Sequence, residues 1–225
     1  PGFYVDQKGQ SGQTACALGT YQVATGQTSC TPAAVGNYVD KTGQDQQTEC
    51  DKGTYNANTG SNSSSACLDA DAGSYVGQKG QSVQTACAVG TYQETTGQTS
   101  CDECAAGTYN ANTASTTSSA CVKALAGFYV DQKGQSGQTA CAVGTYQETT
   151  GQTSCTPAAV GNYVDKTGQD QQIACLAGTY NANTGSNSSS ACVDALAGFY
   201  VDQKGQSVQT ACAIGTYQVA TGQTS

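Results

Sequence analysis

The chain has 225 residues, 13 of them cysteine, with no His, Met, Trp or Arg and a formal charge of −8. An acidic chain with no basic patch excludes nucleic acid and anionic membrane surfaces as partners, and no apolar run approaches the roughly 20 residues of a membrane span. Leu, Ile, Val and Phe are together too sparse for an ordinary single core. So many cysteines in so apolar-poor a chain point to an oxidising, extracytoplasmic setting.

Repetition organises the whole sequence. Each of the 13 tyrosines lies in a Gly-x-Tyr, from Gly2–Tyr4 to Gly215–Tyr217. Successive tyrosines recur at only two spacings, a short one as from Tyr4 to Tyr21 and one three positions longer as from Tyr55 to Tyr75. A Gly follows five positions after each Tyr, as at Tyr4/Gly9 and Tyr21/Gly26; Tyr109 alone is followed there by Ala114. The period divides the chain into 13 modules: 1–15, 16–32, 33–49, 50–69, 70–86, 87–103, 104–123, 124–140, 141–157, 158–174, 175–194, 195–211 and 212–225. Each reads as a short strand through the Tyr, a Gly turn with positive φ, and a return stretch. A lone two-stranded unit is unstable in water, so neighbours must stack. The expected fold is mostly β: small disulfide-rich modules with short hairpins and almost no helix, in an elongated tandem-repeat rod. No initiator Met or signal peptide opens the sequence, and the chain is expected to be a window on a longer secreted protein.

The cysteines follow the same period. Three positions before the Gly of every "GTY" stands an opening Cys: Cys16, Cys50, Cys87, Cys104, Cys141, Cys175 and Cys212. A closing Cys follows at a short spacing or at one three positions longer. The implied pairs are Cys16–Cys30, Cys50–Cys67, Cys87–Cys101, Cys104–Cys121, Cys141–Cys155 and Cys175–Cys192. Cys212 is then expected to bond a cysteine beyond Ser225. In the other modules Ala opens and Gln closes: Ala33/Gln47, Ala70/Gln84, Ala124/Gln138, Ala158/Gln172 and Ala195/Gln209. Here the Gln stem is expected to lie across the site of the missing disulfide, its amide bonding nearby backbone. Every junction is thus a degenerate Cys-x-x-Cys, and only "CDEC" at Cys101–Cys104 keeps both cysteines. The alternative parity, with Cys30–Cys50 and Cys67–Cys87, would close Cys101 onto Cys104. A redox dithiol there lacks an electropositive surrounding, and a zinc site lacks two further ligands.

"CAVGTYQETTGQTSCDECAAGTYNANT", residues 87–113, resembles the ephrin-receptor-like cysteine-rich repeat, itself similar to the smallest modules of tumour-necrosis-factor-receptor ectodomains. The matching pattern is Cys-x-x-Gly-x-Tyr, a Gly turn, then Cys-x-x-Cys. The resemblance implies a β-rich rod closed by local disulfides. Such repeats occur in receptor stalks, very large microbial surface proteins and the flagellar hair filaments of some algae.

The remaining features suggest no chemistry. Three-residue expansions create N-glycosylation sequons at Asn62 and Asn187, so glycans are candidate partners. Single Asp residues in "YVDQKGQ" and "YVDKTGQ" (Asp6, Asp40, Asp131, Asp165, Asp202) do not supply the six to eight oxygens calcium needs. With no His as base, no phosphate loop and no deep core, neither catalysis nor a metal or other cofactor is expected. Residues 2–30 and 198–225 are nearly identical, so the array as a whole begins to repeat at Gly198. These readings point to a structural segment of an extracellular surface filament that self-associates or continues the same array, at the cell surface or beyond it. The alternative is the stalk of an adhesin or receptor whose binding head lies elsewhere.

Overall fold

The computed structural model describes every residue from Pro1 to Ser225. It contains twelve two-stranded antiparallel hairpins, with very short strands such as Thr20–Tyr21 and Thr31–Pro32. The first strand of each hairpin ends on the Tyr, and the second is the pair of residues between a closing and an opening position. Tyr21 faces Thr31 and Thr20 faces Pro32; Tyr92 faces Asp102 and Thr91 faces Glu103. Pro is tolerated at positions 32 and 157 because a second strand of a two-stranded ribbon has an edge that needs no donor. The only helical residues are three 3-10 turns, Ser64–Ala66, Ser118–Ala120 and Ser189–Ala191. All three fall in the expansion that lengthens the long modules. Ser63 and Ser188 cap two of these turns, each accepting a backbone N–H two positions on at 3.2 Å.

The chain divides into two compact units, residues 1–103 with 112–120, and residues 104–111 with 121–225. Within each, the modules follow one another in a repeated backbone ladder. In the first unit, Gly36 N–H donates to Asn56 O at 2.7 Å, Val39 N–H to Ser61 O at 2.9 Å and Gly60 N–H to Ala33 O at 2.7 Å. In the second, Gly161 N–H donates to Asn181 O at 2.7 Å, Val164 N–H to Ser186 O at 2.9 Å and Gly185 N–H to Ala158 O at 2.7 Å. Strands this short leave most amides without a ladder partner of their own, and these bonds between successive modules satisfy them. That is why a module cannot stand alone.

Within each unit the core is a column of small side chains instead of a conventional interior. In every complete module the opening residue is fully buried whether it is Cys or Ala, as at Cys16, Ala33, Cys141 and Ala158. The residue after Tyr adds to the column, with Val39, Val76, Val130, Val164 and Val201 all buried. Most tyrosines are half-buried. Close approach also explains the Gly of Gly-x-Tyr. Gly36 has φ +75°, and a Cβ there would lie 2.0 Å from the carbonyl oxygen of Gly80, two modules ahead. At Gly161, with φ +77°, the same atom would lie 1.9 Å from Gly205 O. The turn Gly positions also take positive φ, and Ala114 is the one non-glycine that does so, at +53°.

Candidate functional site

The repeated element that distinguishes one module from the next is its closure, so the closures are the site. Six are disulfides: Cys16–Cys30, Cys50–Cys67, Cys87–Cys101, Cys104–Cys121, Cys141–Cys155 and Cys175–Cys192. Their Cα atoms are 5.5–5.8 Å apart, within the range that disulfide geometry allows. Cys101 and Cys104 belong to different bonds, one ending the first unit's last complete loop and one beginning the second unit. Between them, Asp102–Glu103 forms a second strand like any other junction pair. The opening sulfurs sit on fully buried residues, whereas the closing residues are half-exposed. Cys212 is partly exposed and has no disulfide partner among the 225 residues.

The other five closures are made by glutamine. Gln47 Oε1 accepts the Ala34 N–H at 2.7 Å, and Gln138, Gln172 and Gln209 accept those of Leu125, Ala159 and Leu196 at the same distance. Gln84 accepts the Asp71 N–H at 2.6 Å and also donates from Nε2 to the Asp71 carboxylate at 2.6 Å. In each case the amide reaches the residue next to the buried Ala. A hydrogen bond therefore spans the place where a sibling module has S–S.

The residue after Tyr follows a strict rule, and in the disulfide modules it adds a second closure. That residue is Val in every Gln-closed module, Gln in the short disulfide modules and Asn in the long ones. Gln93 Nε2 donates to Ser100 O at 3.0 Å, just ahead of the closing Cys101, and its Oε1 accepts the Thr95 N–H at 3.1 Å. Gln147 repeats this with Ser154 O at 2.9 Å and the Thr149 N–H at 3.2 Å. Asn56, only 1% exposed, donates to Asn37 O at 2.9 Å and to Ser61 Oγ at 2.8 Å, and accepts the Asn58 N–H at 3.0 Å. A buried amide with every group partnered pins the loop from inside. The signal was present in the sequence as three residue types that never exchange.

The clefts beside these closures are shallow. One of about 290 Å³ is lined by Tyr163, Ile173, Leu176 and the Cys175–Cys192 bond. Another, about 450 Å³, is lined by Tyr38, Thr48, Glu49, Asp51 and Lys79. There the Lys79 ammonium lies 2.8 Å from the Asp51 carboxylate. Asp51 raises the Lys79 pKa above its ordinary value through that hydrogen bond and its charge, with Glu49 adding to the effect. Glu94 accepts the Ser118 N–H at 2.7 Å, which holds its carboxyl below the usual range. Asp6 accepts from Gln10 Nε2 at 3.0 Å; nowhere do three Asp, Glu, Cys or His side chains gather as a metal would require. Asn62 and Asn187 are both exposed, each immediately before the Ser that caps a 3-10 turn. No helix is long and apolar enough to cross a membrane.

No curated protein gives a match to the chain. Residues 73–121, which hold the Cys87–Cys101 loop and the whole Cys104–Cys121 loop, match the family described as tyrosine-protein kinase ephrin type A/B receptor-like, and that match together with the six disulfides fits a cysteine-rich repeat.

Proposed function

We propose that the chain is a non-catalytic, load-bearing segment of an extracellular surface filament. The observation that carries this is the repeated ladder: within each of the two units, successive modules present the same backbone donors and acceptors to one another. Six local disulfides and an ephrin-receptor-like stretch are typical of extracellular proteins. Self-association or continuation of the array supplies the filament's length. Glycans are carried on Asn62 and Asn187, which face solvent beside the capped turns. The stalk of a surface adhesin or receptor is the second reading, favoured by the same ephrin-receptor-like match.

Immunogold electron microscopy of source cells, with antibody to residues 1–225, separates the two. Label running along extracellular filaments supports the first reading. Label confined to a single layer next to the membrane supports the stalk, and label inside the cell overturns both. Mass spectrometry of the purified native protein reports the glycans, and unmodified Asn62 and Asn187 peptides would remove them from the proposal.

A further inference from the structure

The alternation of covalent and hydrogen-bonded closures has a mechanical meaning. When the two chain ends are pulled apart, tension enters a disulfide module at its opening Cys and crosses directly to its closing Cys. The loop between them never bears load. Outside that loop a module has only its two junction residues, such as Thr31 and Pro32, whether the module is short or long. Unstacking it therefore releases about 10 Å of chain, plus the 5.5–5.8 Å across the bond. A Gln-closed module has no such bypass. Its closure is one amide–backbone hydrogen bond, as from Ala159 to Gln172 at 2.7 Å, and the whole module is released, about 60 Å.

Both kinds of module are stacked by the same backbone bonds. For similar stacking strength, the force at which opening becomes favourable varies inversely with the length released. Disulfide modules should then resist at least about fourfold more force than Gln-closed ones, from about 60 Å against about 15 Å before the folded span is subtracted from each.

From this we infer that the chain works as a strain-limited extensible element, in which Gln-closed modules yield under tension while disulfide modules stay folded between them. The complete yielding modules are 33–49, 70–86, 124–140, 158–174 and 195–211. No two adjoin, so every yielding segment is bounded by a locked one that can template its restacking. The inference applies to a filament segment and to a stalk alike, and a negative pulling result would leave the extracellular reading where it stands.

The test is force spectroscopy of the full chain, tethered at its two ends in an optical trap. The oxidised protein should lengthen at low force in five steps of roughly 50–60 Å and then stiffen. Reducing it should add about 50 Å of accessible chain per disulfide and remove the stiffening. In Ala158→Cys/Gln172→Cys, oxidation should delete one of the five steps, and reductant should restore it. Rupture of the oxidised chain in one event, or equal extension with and without reductant, overturns the inference. If the double variant does not oxidise, the wild-type comparison decides alone.

Discussion

Residues 33–69 and 158–194 are two copies of one disulfide-plus-glutamine pair, and they differ at only five positions. Thr48, Glu49, Asp51, Lys52 and Leu68 in the first stand where the second has Ile173, Ala174, Leu176, Ala177 and Val193. Their ladders agree closely: Gly36 to Asn56 and Gly161 to Asn181 both at 2.7 Å, and Asn56 and Asn181 with equivalent partners at 2.8–3.0 Å. Their surfaces do not agree. The first carries the Asp51–Lys79 ion pair, and the second carries exposed Ile173 and Leu176 at 40% and 65% accessibility. One local difference reaches inward. Glu49 lies across the hairpin from Asn37, where Ala174 lies across from Asn162. Asn37 is buried, its Oδ1 without a partner, while Asn162 is half-exposed. A fixed frame can thus carry a charged or an apolar face, because the frame depends on Gly, the opening residue, the residue after Tyr and the closure, and on little else.

Breaking the frame should cost both copies alike. Gly36→Ala and Gly161→Ala each put a Cβ against an immovable backbone carbonyl at a positive φ, and each should lose about 3–5 kcal/mol. Hydrogen exchange should report the loss as exposure of the amides of that module and its neighbours only. If Gly161→Ala were neutral, the close approach to Gly205 would not be a constraint. Replacing Cys50 and Cys67 together by Ala, or Cys175 and Cys192, removes a 17-residue closure and should cost about 3 kcal/mol by the loop-entropy estimate. Urea unfolding of the two variants should give matching losses, and a clear inequality would mean that the surface substitutions do reach the frame.

Ala114 offers a test in the stabilising direction. It holds the left-handed conformation that Gly occupies at the equivalent turns, so Ala114→Gly should stabilise by about 1 kcal/mol, visible as a higher urea midpoint. The smallest effect concerns acid. Because the Ser118 N–H holds the Glu94 pKa below its ordinary value, the stabilisation from this bond is complete above the usual carboxylate range. It disappears as pH falls through the lowered value. An NMR titration should show the Ser118 amide responding at a lower pH than a model Glu carboxyl titrates, and Glu94→Gln should abolish that response with hardly any change in unfolding midpoint. A response at or above the ordinary carboxylate pKa would remove the bond from the account.

The cysteine period made the covalent closures legible, because a fixed spacing from opening to closing Cys survives in the residue string. Ala33 with Gln47 could be read in the same way, by position. The return stretch of each hairpin could be read, but not which residues pair in it: a pair such as Thr85–Ala86 is too short to display the alternation by which strands are recognised. Nor could the reason for Gly36, whose neighbour Gly80 is distant in sequence and touches it only once the intervening module has folded. The role of Asn56 and Gln93 was hidden for another reason. Polar amides are expected outside, and only a column this thin places them at its centre.

The contact between a Gly-x-Tyr glycine such as Gly36 and the turn two modules ahead sets how far one module senses another. Beyond that distance, nothing in the ladder records position within the array. At "CDEC" a Gln-closed module is absent and two disulfide modules follow one another directly. Near-identical stretches such as residues 2–30 and 198–225 show the same order of modules returning along the array. The number of modules can therefore differ without any change in the backbone bonds that each one makes with its neighbours.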